Sequence, residues 1–206
     1  MKEACYFFLT WLWLLSVAIL LTIYLAWSLY PLEVSYLQLD EVVFMTPKAI
    51  TQDFNRLLAY LTNPFVQNLN LDHFSSSTSG LKHFEDVKGL FQLTQLVFIL
   101  LVYPAWRYLY DKLKQQVLIL IRYPLMLAGF FPVLVALFAI MIGFDNFFTL
   151  FHQILFVGDS TWLFNPLTDP VIWILPETFF MHCFVLFFII YESIIWGLVL
   201  LSQQKP

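Results

Sequence analysis

Long unbroken apolar runs, not alternations, dominate this chain. Four of them, 5–32, 89–106, 117–144 and 178–201, carry few charges, and roughly 20 such residues suffice for a helix to cross the bilayer core. They predict four transmembrane helices. The third carries Arg122 near one end, where a long side chain reaches the headgroups. The fourth carries Glu192, an acid with no such exit.

Between the runs the pattern changes. Thr46-Pro47 is a helix start, a capping hydroxyl followed by proline at the first helical position, and Ile50, Phe54, Leu57, Leu58 and Leu61 then recur at helical spacing until Asn63-Pro64. That predicts an amphipathic helix lying on an apolar surface. Asp145 is placed to cap a second one over 147–156, with Phe148, Phe151, His152 and Leu155 on one face. It is too short to span and is expected to be interfacial or re-entrant. If the second membrane helix starts near Ser79, His83 shares a face with Asp86, Val87 and Leu90. Residues 34–44, rich in β-branched and aromatic side chains, predict a short strand or hairpin, and 75–80 a polar turn.

Composition agrees with the bilayer as main solvent: of 206 residues, 61% are hydrophobic and 12% charged. A net charge of -4 with no basic block excludes nucleic acid, whose phosphates require clustered lysine and arginine. Arg107, Lys112, Lys114 and Arg122 surround the link between the second and third runs, against the single acid Asp111, and Lys2 and Lys205 lie at the termini. These regions are expected to be cytoplasmic. Loops 33–88 and 145–177 then face outward; the first holds four basic residues against seven acids, the second none against four.

The expected fold is therefore an all-α membrane protein: one domain of four transmembrane helices with an extracellular cap formed by the two outer loops. The first run only loosely imitates a cleaved signal peptide, being too long and having Trp27 at its small-x-small site, so it is read as a retained span. Cys5 near the inner face and Cys183 near the outer are too far apart to bridge.

Among the four histidines, His73 reads as a loop bystander, and His182 as a hydrogen-bonding group or pocket wall one turn into the fourth helix. His83 and His152 each stand beside an acid at the boundary between loop and membrane, where an imidazole serves equally as structure or as acid/base. There is no G-x-S-x-G elbow and no H-E-x-x-H zinc motif. His182-Cys183 is no dyad, because adjacent helical side chains diverge. Glu192 remains a candidate for a proton or ion path.

At "HFEDVK" (83–88) and "DNFFTLFHQILF" (145–156), followed by "TWLFNP" and "LPETFF", the chain resembles the bacterial lipoprotein intramolecular transacylases. The resemblance implies four transmembrane helices, an extracellular cap, and transfer of the sn-2 acyl chain of a diacylglyceryl lipoprotein to the amine of its N-terminal cysteine, giving the lyso form. It implies His83 and His152 as the two catalytic residues, sharing the acid and base roles, with diacylglyceryl lipoproteins as substrate and membrane lipid as surroundings. Asp86 and Asp145 would orient or charge-stabilise them, and Phe148, Phe151, Phe156 and Trp162 would shape the pocket. The substrate's own amine attacks its own ester, so neither a protein nucleophile, a cofactor nor a metal is required; proximity, proton transfer and water exclusion suffice. The rival reading is a non-catalytic lipoprotein-binding subunit, or a small carrier using Glu192 and His182.

Overall fold

The computed structural model describes residues 2–203. Its helices run in the order α1 (Lys2–Tyr36), α2 (Leu39–Val43), α3 (Pro47–Thr62), α4 (Thr78–Lys114), α5 (Arg122–Ile142), α6 (Phe144–Leu155) and α7 (Glu177–Leu201). Short 3-10 turns cover Leu118–Ile121 and Pro170–Ile174. There is no strand among the described residues. Lys205, assigned to the cytoplasmic side from sequence, lies outside the described residues.

Among the described residues, four helices are long and apolar enough to cross a membrane: α1, α4, the stretch Leu118–Ile142, and α7. Their outward positions are themselves apolar, with Leu93, Leu96, Ile99 and Leu100 on α4 and Phe131, Leu134 and Ile140 on α5 all exposed. Side chains of that kind suit hydrocarbon and not water.

The chain forms two compact units, one from the described parts of Met1–Thr22, Thr94–Gly143 and Phe184–Pro206, the other from Ile23–Leu93 and Phe144–Cys183. In the first, Leu14, Ala18, Leu125 and Ile195 form the core. The buried Tyr191 hydroxyl accepts from Trp11 Nε1 at 2.8 Å and donates to the Ala128 carbonyl at 3.0 Å. In the second, Tyr30 stacks on Phe54 with ring centroids 3.4 Å apart, Phe179 meets both edge-on, and the Tyr30 hydroxyl donates to the Ile174 carbonyl at 2.6 Å.

The predicted amphipathic helix is α3. Thr46 accepts from the Ala49 N–H, Pro47 opens the helix, and Ile50, Phe54, Leu57, Leu58 and Leu61 are all buried. The expected strand at 34–44 is wrong. α1 continues to Tyr36, and α2 follows after Gln38, which takes the left-handed conformation at φ 52°. Tyr30 and Val34, one helical turn apart, both bury completely in the core of the second unit, and that shared face outweighs a local β preference. The second span is also longer than its apolar run, since α4 extends from Thr78 to Lys114. Asp145 lies inside the first turn of α6 and not at its cap, because Gly143 at φ 84° ends α5 one residue before α6 begins.

Candidate active site

Within the second unit, two segments far apart in sequence bring their imidazoles together. α4 starts at Thr78, so His83 falls in its second turn, 5% exposed. α6 carries His152 near its end. The two ring centroids are 5.8 Å apart, within reach of one substrate headgroup.

Aromatic rings enclose the pair. Phe156 packs edge-on to His83 at 4.9 Å and also lies 5.9 Å from His152. Phe164 is edge-on to His83 at 5.5 Å. Trp162 stacks on His152 at 5.0 Å, and Phe148 and Phe151 meet it edge-on at 4.3 and 5.7 Å. The loop after α6 turns at Gly158 (φ 78°), and the Trp162 indole N–H donates to the Asp159 carbonyl at 3.1 Å, which fixes the indole over the imidazole.

The hydrogen bonds of the two imidazoles differ in kind. His152 Nδ1 lies 2.8 Å from the Phe148 carbonyl. A carbonyl only accepts, so Nδ1 carries the proton and Nε2 keeps its lone pair for an incoming group. Burial lowers the His152 pKa below 6.5, and the bond to Phe148 opposes this without reversing it. The ring is therefore a neutral base at neutral pH. His83 Nδ1 is buried with no protein partner, an exposure to cost that most buried polar atoms avoid.

The surrounding charge is acidic. Asp86, one turn beyond His83, binds Lys82 at 2.8 Å, and Lys82 also reaches Glu85 at 3.1 Å. Asp159 and Asp86 both act electrostatically on His83. The Thr161 backbone N–H, donating to Oδ1 at 2.8 Å, holds the Asp159 carboxyl below its usual range. Among the described residues no cluster of three or more His, Cys, Asp or Glu could hold a metal ion.

The sequence profile of the family "Lipoprotein intramolecular transacylase Lit" matches residues 4–180. The chain belongs to the lipoprotein intramolecular transacylase family. It is an acyltransferase by that membership. The solved structure of the membrane-integral transacylase Lit from Bacillus cereus is similar, with 28% identity and a TM-score of 0.80 over 98% of this chain and 92% of that one. Two variants of the same Bacillus cereus protein, with one histidine replaced by arginine or by alanine, are similar at 26% and 27% identity, with TM-scores of 0.77 and 0.79 and the same coverage. No curated protein sequence matches significantly.

Of the residues singled out from sequence, His83, His152, Phe148, Phe151, Phe156 and Trp162 come together. Asp86 lies beside His83 but spends its carboxylate on Lys82. Asp145 instead acts electrostatically on Glu177, the first residue of α7. His73 is tied to the fully buried Asp53 at 3.1 Å, and His182 pairs with Glu33 at 2.9 Å. Glu192 accepts from Trp196 Nε1 at 2.7 Å. Cys5 and Cys183 are both free thiols. Sequence reasoning missed Phe164 and Asp159. Gly158 and Asn165-Pro166 were the available signal, since turn formers at both ends of so short a stretch fold it back on the preceding helix.

Proposed function

We propose that this transacylase moves the sn-2 acyl chain of a diacylglyceryl lipoprotein from the glycerol oxygen to the α-amino group of the N-terminal cysteine, with His83 and His152 as the acid/base pair. The observation that carries the reading is the 5.8 Å approach of the two rings inside an aromatic enclosure. The new bond is N to acyl carbon, and the broken one is acyl carbon to glycerol oxygen. The amine must lose a proton and the glycerol oxygen must gain one. His152, its Nδ1 committed to Phe148, accepts the amine proton at Nε2. His83 delivers a proton to the departing glycerol oxygen, and exchange between the two groups resets the site.

The protein's remaining work is to hold a flexible headgroup in a ring of about eight atoms, a form of proximity catalysis. Phe148, Phe151, Phe156 and Trp162 shape that space and exclude water, which would otherwise hydrolyse the ester. Asp86 charge-stabilises His83 from α4, and Asp145 supports His152 by anchoring the start of α6. The basic residues beside the 107–122 link, against acidic loops at 33–88 and 145–177, support cytoplasmic termini and a site in an extracellular cap at the membrane surface.

The test is expression in a lipoprotein-processing host that lacks lyso-form synthesis, with mass spectrometry of a reporter lipopeptide. An N-acylated cysteine is expected from the parent chain and a free amine from His83→Asn or His152→Asn. A free amine with the parent, or N-acylation surviving both changes, overturns the assignment.

A further inference from the structure

Asp169 is 3% exposed and lies in the loop that also supplies Trp162 and Phe164. A carboxylate this deeply buried is costly unless its oxygens are bonded, and here they are. Oδ1 accepts the Ser77 backbone N–H at 2.7 Å, and Oδ2 accepts the hydroxyls of Ser77 at 3.0 Å and Thr168 at 2.8 Å. Burial pushes the Asp169 carboxyl up and these bonds, Ser77 first, outweigh it, so the group stays ionised.

Ser77 is the residue before α4. Its hydroxyl donates to Asp169 and accepts the Gly80 N–H at 3.0 Å, while its carbonyl accepts the Leu81 N–H at 2.9 Å. Asp169 thus grips the capping residue itself, and through it the first turn of α4. The grip is close: a Cβ on Gly80 would overlap Asp169 Oδ1 and come within 2.9 Å of Phe164 Cε1. His83 follows Gly80 by three residues, on the same helical face, and Phe164 is the ring edge-on to it.

We propose that Asp169 is a positioning residue for the transfer reaction: it sets the start of α4 against the 162–169 loop and thereby fixes the His83 ring relative to Phe164, Trp162 and His152. The chemical consequence rests on the acid/base reading of His83. The positioning itself does not. A ring held by one carboxylate across 92 residues of sequence is lost to catalysis by small shifts, because a displacement of about 1 Å costs on the order of 100-fold in rate.

The experiment uses the full chain in nanodiscs, with Asp169→Ala, Gly80→Ala, their double variant, and the milder Ser77→Ala in case the first fails to fold. His83 accessibility is read by diethylpyrocarbonate modification and peptide mass spectrometry, with the partly exposed His73 as internal control. Turnover of a synthetic S-diacylglyceryl-cysteine lipopeptide is measured per folded molecule. We expect His83 to react about tenfold faster or more in each single variant at unchanged His73 reactivity, and kcat to fall on the order of 10- to 100-fold with KM within about threefold. Gly80→Ala should matter less once Asp169 is alanine, since the overlap with its oxygen is gone and only the 2.9 Å approach to Phe164 Cε1 remains. Unchanged His83 reactivity in folded Asp169→Ala or Ser77→Ala overturns the positioning. So does a loss of turnover that merely tracks the folded fraction, or fully additive Gly80 and Asp169 effects. If the parent chain transfers no acyl group while His83 still becomes reactive in the variants, the acid/base reading fails and the positioning stands.

Discussion

Removing Trp162 should move the pH dependence of transfer upward. The indole stacks on His152 at 5.0 Å and is one of the groups that desolvate it, and desolvation is the leading cause of the lowered His152 pKa. In Trp162→Ala water reaches the imidazole, its charged form recovers hydration, and the pKa returns toward 6.5. A base works only when neutral. The acid limb of kcat/KM therefore lies below pH 6.5 in the parent and climbs in the variant. The lost ring pair adds a pH-independent cost of about 0.5–1.5 kcal/mol, roughly 2- to 13-fold in rate. The variant should thus show a modest deficit at pH 8 that widens as pH falls.

Stability follows the same sign. The folded ring binds its proton less tightly than the same imidazole in the unfolded chain, so stability rises with pH between the lowered value and 6.5 and is flat above. Trp162→Ala narrows that window. The assay is a set of pH–rate profiles on the synthetic lipopeptide, paired with thermal melts across the same range. An acid limb that stays put refutes the desolvation argument. One that moves down would mean that the indole acts on the imidazolium as a cation–π partner.

Four further changes probe the frame around the site. Asp53→Ala strips acceptors from the backbone N–H groups of Asp72 and His73, bonded at 2.8 and 2.9 Å, and should cost about 2–4 kcal/mol in a denaturation measurement. Thr46→Ala removes the α3 cap and should cost about 1 kcal/mol, with activity per folded molecule unchanged. Gly158→Val forces a β-branched side chain to φ 78°; it should cost roughly 1–2 kcal/mol and reduce kcat by displacing Trp162, read by turnover and melting together. Glu192→Gln keeps an oxygen for Trp196 Nε1 and should leave acyl transfer within about twofold of the parent, a difference near the noise of most surface changes. A carrier built on Glu192 would instead lose function.

The four spans, the α3 face and the α6 face were legible because each depends on local repetition, apolar length in one case and helical spacing in the other. Residues 34–44 failed for the opposite reason. Val34, Val42 and Val43 favour a strand locally, but Val34 buries completely beside Tyr30 and Leu39 buries to 2%, a tertiary fact that no window of neighbours contains.

The candidate site divides along the same line. Its two imidazoles were found because each sits on a helix beside other marked residues, and Asp86 was placed rightly on the His83 face. Its carboxylate partner was also readable, since Lys82 precedes it by four residues, the spacing at which helical ion pairs form. The loop after α6 was legible only in Trp162; its other relations, those of Phe164, Asp159 and Asp169, escaped. Trp162 reaches His152 only because Gly158 reverses the chain, Phe164 reaches His83 from 81 residues away by sequence number, and Asp169 finds Ser77 across a comparable gap. Such contacts leave no periodic trace, yet they decide whether two imidazoles form a pair. Phe156 makes the point most sharply: lying against both rings, at 4.9 and 5.9 Å, it can serve them together only while the α4 start and the α6 end keep their register. On the proposed acid/base reading, which needs near-ångström placement, the buried Asp169–Ser77 link supplies a tie between the α4 start and the loop after α6 that the two histidine helices do not themselves contain.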